Sequence, residues 1–167
     1  MTPAINLAKQ QKLNYKIHEY THDSSAGSYG LEAAEKLGLA PERVFKTLVV
    51  KTDNGHLAVA VLPVKSMLNF KKMAKALSSN TVFTNKTLAC KKVQMAEPKE
   101  VERSSGYVLG GVSPLGQKKR LITIIDSSAQ SYPTIYVSAG RRGLEMELSA
   151  IQLLETLQAH FADIIDD

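Results

Sequence analysis

Apolar positions along the chain follow two patterns. Phe45 to Lys51 and Leu57 to Pro63 are nearly continuous apolar runs joined by Asp53-Asn54-Gly55, which predicts a hairpin of two buried strands. Tyr15 to Tyr20 alternates in hydrophobicity as a half-buried strand does. Val93–Met95, Tyr107–Leu109, Leu121–Ile125, Thr134–Ser138 and Leu144–Leu148 read as further short strands. Helical spacing appears elsewhere. Thr2 and Pro3 form a cap and first-turn pair for a helix with Ile5, Leu7 and Ala8 on its apolar side. Leu31 to Leu37 predicts a second helix closed by Gly38, after a loop from Thr21 to Gly30. A third spans Phe70 to Leu77 behind Asn69, and a fourth runs from Pro98 to about Ser104. Ser149 caps a last one, with Ile151, Leu154, Leu157, Gln158 and Phe161 at helical spacing.

Many short strands interleaved with helices predict an α+β domain, a curled mixed β-sheet approaching a barrel with surrounding helices. No repeat or linker divides the 167 residues, so residues 1–167 read as one domain. Residues 78–90 have no clear period and read as a local surface insertion.

Charge sharpens this picture. Between Lys65 and Arg120 stand twelve Lys or Arg residues and three carboxylates, a surplus of +9 in a chain whose net charge is +5. A basic middle in an otherwise mildly acidic chain suits a polyanionic partner, although a solvated lysine face has the same composition. Aromatics make up only 6% and Trp is absent, which argues against an extended base-stacking platform. One cysteine, Cys90, excludes an internal disulfide. No membrane-length apolar run and no signal-peptide pattern is present, so a cytoplasmic protein is expected.

Lys46 is the most informative single residue. On a strand it shares a side with Val44, Leu48 and Val50, while the other side carries Phe45, Thr47 and Val49. Neither face suits an ammonium, so Lys46 either reaches water along its own stem or points into a cleft. Gly110-Gly111-Val112-Ser113-Pro114-Leu115-Gly116 is a glycine-rich turn without the spacing of a P-loop or a dinucleotide fingerprint. Lys118, Lys119 and Arg120 follow it and complement phosphates. A second glycine turn, Ser138-Ala139-Gly140-Arg141-Arg142-Gly143, offers a hydroxyl and two more cations, Arg141 and Arg142. Both are ordinary turns by themselves; together they are compatible with a ligand pocket. His18, His22, His56 and His160 lack metal-ligand spacing, Cys90 has no evident base, and no Gly-x-Ser-x-Gly elbow occurs.

These segments resemble the YbaK family of trans-acting aminoacyl-tRNA deacylases, related to the editing domain of bacterial prolyl-tRNA synthetases. The resemblance runs almost end to end. Its strongest parts are Met1-Thr2-Pro3-Ala4, Val44-Phe45-Lys46-Thr47-Leu48, the stretch from Ser105 to Arg120, and Ile135 to Leu144. It implies the curled editing fold and a pocket for the 3′-aminoacyl adenosine, with no metal or cofactor. The family's essential lysine falls on Lys46, and its pocket positions on Tyr20, Gly110 and Ser138, with Gly111 beside them. Tyr29 stands where phenylalanine is usual and Glu145 where aspartate is usual. The implied activity removes cysteine from tRNA(Pro), and also from tRNA(Cys), by attack of the substrate's own thiol. Prolyl-tRNA synthetase is the partner so implied. Two other readings are a water-using deacylase for another small amino acid, such as alanine on tRNA(Pro), and a non-catalytic RNA- or protein-binding module.

Overall fold

The structure, a computed structural model, describes residues 1–23, 29–79 and 87–167, with the side chain of Tyr29 outside the description. Its elements in chain order begin with α1 (Pro3–Gln10), β1 (Tyr15–Glu19) and α2 (Tyr29–Leu37). There follow β2 (Phe45–Thr52), β3 (Leu57–Pro63), α3 (Phe70–Leu77), β4 (Val93–Met95) and α4 (Pro98–Ser105). The chain continues with β5 (Thr123–Asp126), β6 (Ile135–Ser138), β7 (Leu144–Leu148), α5 (Ala150–Leu157) and β8 (His160–Ala162). Three helix starts obey local capping chemistry. Thr2 Oγ1 accepts from the Ile5 N–H at 3.2 Å, Asn69 Oδ1 from Lys72 at 2.9 Å, and Ser149 Oγ from Gln152 at 3.1 Å.

The strands form two sheets. One has the order β4-β2-β3-β5-β8; its β2–β3 and β2–β4 pairs are antiparallel, and β5 joins β3 and β8 in parallel. The other, β1-β7-β6, is antiparallel throughout. A bridge between Val44 and Tyr136 stitches them together, so the β-structure curls without closing. Phe45, Val49, Val59, Val61 and Ile125 pack against Ile135, Val137, Leu144, Met146 and Leu148 in the shared core, which also takes in Ala4 and Ala8 of α1 and Leu153 of α5. The outer face of the larger sheet, with Val50, Ala60, Leu62 and Ile124, is covered by Met73, Ala74 and Leu77 of α3. Burial on both faces explains why β2 and β3 read as continuous apolar runs.

The structure corrects two element assignments. Tyr107–Leu109 is not a strand. Gly106 leaves α4 in a left-handed conformation, φ 82°, and Val108 to Gly111 make a turn closed by the Gly111 N–H on the Val108 carbonyl at 3.0 Å. The last helix also stops earlier than its apolar spacing suggests. Gln158 is left-handed at φ 51°, and residues 160–162 become a strand on the edge of β5. So short a segment, His160-Phe161-Ala162, fits either element, and a free parallel edge decides between them. Most of the expected insertion at 78–90 falls on residues 80–86, outside the described residues. Among the described residues no helix is long and apolar enough to cross a membrane.

Candidate active site

One edge of β2 has a gap. Even-numbered residues of β2 turn their amides towards β3, as in the bonds from Val64 N–H to the Val44 carbonyl, 2.9 Å, and from Thr52 N–H to the His56 carbonyl, 2.8 Å. Phe45, Thr47 and Val49 therefore face the other edge. The Val44–Tyr136 bridge closes one end of that edge, and the Ala96 N–H on the Val49 carbonyl, 3.0 Å, closes the other. Among the described residues no strand pairs with the stretch between them. A cavity of about 510 Å³ opens there. Phe45 to Val49 form one wall, and Met95, Ala96, Pro98 and Val101 a second. Leu109, Gly110 and Val112 form a third, and Ser138, Glu145, Tyr20 and Arg142 a fourth.

Lys46 thus points into a cleft rather than escaping along the surface. Among the described residues its Nζ has one weak contact, the Val64 carbonyl at 3.5 Å, and burial lowers its pKa from the usual lysine range. Gly110 lines the cavity with φ 91°, the left-handed geometry required at the third position of the Val108–Gly111 turn. Gly111, expected beside the pocket positions, does not line the cavity, and its N–H is given to the Val108 carbonyl. Its lack of a side chain has a different reason: a Cβ there would lie 2.7 Å from the Arg141 Cα, so the two glycine turns pack backbone to backbone.

Ser138 and Glu145 face each other across the β6–β7 pair, on the opposite side of that sheet from Val137 and Met146 in the core. Ser138 Oγ accepts the Gly140 N–H at 3.2 Å and keeps its own proton to donate. Glu145 is 7% exposed, and burial pushes its carboxyl up to about 8. Tyr20 is fixed through its N–H on the Gly143 carbonyl, 3.0 Å; burial, then the nearby Glu145, raises its hydroxyl pKa. Tyr29 begins α2, but its side chain lies outside the described residues.

The five cations expected at phosphates separate. Arg142 lines the cavity, its Nε 3.3 Å from Glu32 Oε1. Arg141 is exposed and 4.0 Å from Glu19. Lys119 and Arg120 line a second, smaller depression with Leu7, Pro114 and Gln117. Lys118 is exposed, its stem beside Gly106.

Sequence reasoning missed Glu32. Its carboxylate accepts from His22 at 2.9 Å and from the Asp23 N–H at 2.8 Å, and lies 3.4 Å from Lys36 besides pairing with Arg142. Burial alone would raise its pKa; the bonds from Asp23, His22 and Lys36 bring it down to about 2. The node ties the segment after β1 to α2 and to the arginine turn. The one local signal was its i,i+4 spacing to Lys36. Thr47 was likewise unremarked: it lines the cavity, and its Oγ1 is buried with no hydrogen-bond partner among the described residues.

A cleft with a desolvated amine, a glycine turn, a hydroxyl and a buried acid suits a polar ester with a charged substituent. A family model for the aminoacyl-tRNA editing domain matches residues 26–156. The chain belongs to the aminoacyl-tRNA editing family. It is 38% identical over 163 residues to EbsC of Enterococcus faecalis, a candidate Cys-tRNA(Pro)/Cys-tRNA(Cys) deacylase, covering 98% of this chain and 92% of that one. Its fold matches a crystal structure of a candidate trans-editing enzyme for prolyl tRNA synthetase at a TM-score of 0.78 and 20% identity, over 100% and 99% of the two chains. A crystallised hypothetical protein matches at 0.79 and 24%, over 98% and 99%. The curled α+β architecture is therefore that of the editing fold, and members of this family act on aminoacyl-tRNA.

Proposed function

We propose that this editing domain hydrolyses mischarged Cys-tRNA(Pro), and also Cys-tRNA(Cys), with Lys46 as its central residue. The observation that carries the reading is the meeting of Lys46, Gly110, Ser138 and Glu145 around one cavity, from elements far apart in sequence. The named activity of EbsC supports the choice of substrate. A synthetase pocket for a small side chain rejects one of similar size by only about 10- to 200-fold, so a second sieve has work to do.

The ester is already activated, and the chemistry needs little beyond orientation. The substrate's thiol loses its proton and its sulfur attacks its own carbonyl carbon. The carbon–oxygen bond to the ribose breaks, the departing ribose oxygen takes a proton, and a four-membered thiolactone leaves for hydrolysis by water. Lys46 favours negative charge on the thiolate or the carbonyl oxygen. Gly110 narrows the approach, Ser138 donates to the acyl group, and Tyr20 and Tyr29 wall the adenosine or side chain. Arg141, Arg142 and the Lys118–Arg120 segment meet tRNA phosphates, and prolyl-tRNA synthetase is the partner that delivers the tRNA in the cytoplasm. The whole chain, 1–167, acts as one editing domain, and 78–90 is a local insertion in it.

The test is a panel of charged tRNAs. Cys-tRNA(Pro) is expected to be deacylated and Ser-tRNA(Pro) left intact, because a hydroxyl is a far poorer internal nucleophile. Brisk release of serine or alanine would replace the thiol mechanism with an enzyme-bound water.

A further inference from the structure

We propose that Glu145 is the acceptor for the α-ammonium group of the bound aminoacyl ester, so that the cavity selects esters of α-amino acids against the same esters lacking the amine. The inference rests on the deacylase reading above and adds to it the group that recognises the substrate's ammonium, which carries its positive charge in the protonated form.

Three observations carry it. Glu145 lines the cavity at 7% exposure, and among the described residues no hydrogen bond or ion pair reaches its carboxyl. A buried acid without a partner is costly unless a ligand supplies one. Second, the same strand face can satisfy an acid. Two residues on, Glu147 takes the Thr134 hydroxyl at 2.6 Å and His18 Nε2 at 2.9 Å, with Arg43 3.8 Å away. The unfilled place is the one that opens on the cavity. Third, Ser138 lies directly across from Glu145, and cross-strand partners have Cβ atoms about 4.5–5.5 Å apart. In an aminoacyl ester the amine is one carbon from the carbonyl. A hydroxyl donor and an acid side by side match that spacing.

The charged neighbours leave room for an ammonium. His18, across on β1, is turned to Glu147. Arg142, before β7, lies against Glu32 of α2. Tyr20 offers an un-ionised hydroxyl at neutral pH, and Lys46 stands on the β2 wall against the Val64 carbonyl. With burial keeping the empty acid protonated below about pH 8, an entering ammonium displaces that proton to solvent.

Calorimetry with two non-hydrolysable ligands, 3′-cysteinylamino-3′-deoxyadenosine and its des-amino 3-mercaptopropionyl counterpart, tests the proposal at pH 6.5 in buffers of different ionisation enthalpy. The wild type is expected to favour the amine-bearing ligand by roughly tenfold or more and to release a proton on binding it. Glu145→Gln should bring the ratio close to one and abolish the proton release, and Glu145→Asp should restore much of both. A wild type that does not discriminate, or a folded Glu145→Gln that still does, overturns the inference; the wild-type arms decide it even if the variant fails to fold. Deacylation of the charged-tRNA panel separates the two readings. Discrimination without turnover of any charged tRNA keeps the amine site and removes the deacylase, whereas turnover without discrimination removes the amine site alone.

Discussion

Glu147 and Glu145 lie two residues apart on the same face of β7, yet their surroundings set them to opposite charge states. Around Glu147 a closed cluster has formed. Arg43 binds the Thr134 carbonyl at 2.8 Å and sits over the Tyr136 ring at 5.1 Å, and His18 meets that ring edge-on at 5.5 Å. Despite its burial, the bonds from Thr134 and His18 lower the pKa of Glu147. Glu145 has burial and, among the described residues, no bond to oppose it, and rises to about 8. Chemically identical side chains on one strand thus serve different ends. One fastens the smaller sheet to the segment before β2, and the other is held un-ionised at the wall of the cavity. The contrast teaches that a carboxyl in this sheet is neutral because of where the cavity falls.

The largest way to break the comparison is at the cavity end. Lys46→Ala should cut Cys-tRNA(Pro) deacylation at least about 100-fold while leaving the melting temperature within a few degrees, since among the described residues its Nζ makes only the 3.5 Å contact with Val64. A rate within a few-fold of wild type would strip Lys46 of its role. At the closed end the pattern inverts. Glu147→Ala should cost about 1–3 kcal/mol in urea unfolding, because it leaves His18, Thr134 and Arg43 without their shared acceptor, and should change single-turnover deacylation by only a few-fold.

A smaller effect sharpens the contrast through pH. Glu145 has a folded value near 8 against the ordinary 4.5, so the native state holds the proton more tightly than the unfolded chain. The associated stability is full below about 4.5 and is lost as pH rises towards 8. Glu32, near 2, has the opposite sign: its contribution is present above 4.5 and lost as pH falls towards 2. Melting curves should therefore show wild type losing stability relative to Glu145→Gln between pH 4.5 and 8. A flat or rising difference would mean that Glu145 is ionised in the empty pocket. Least of all, Lys119→Ala should raise the tRNA Kd a few-fold at low salt and reduce the slope of log K against log salt by about 0.7–0.9. An unchanged slope would remove that segment from the RNA interface.

Much of the fold was legible because its causes are local. The hairpin of β2 and β3, and the caps at Thr2, Asn69 and Ser149, depend on neighbours in sequence, and they stand where the pattern puts them. Residues 107–109 and 160–162 were misread because three residues have no period to measure, and their state depends on whether a strand edge is free beside them. In the candidate site, Lys46 was visible as a residue out of keeping with its strand, whereas Gly110 and Ser138 stand in turns that are ordinary by themselves and were marked by the family resemblance. Gly111 was placed beside the pocket, and nothing local reveals that its N–H is used by Val108 or that Arg141 packs on it. Glu32 passed as an ordinary helical charge because its partner Arg142 is 110 positions away.

By itself the sequence settled most of the elements, the editing family and the residue types available for chemistry, since capping, strand alternation and motif spacing act over a few residues. Tertiary structure alone decided which cations share the cavity with Lys46, which glycine amide is already engaged, and which of two equal glutamates keeps its proton. Those outcomes depend on burial and on partners brought from distant parts of the chain, and both quantities exist only once the two sheets have curled around the gap beside β2.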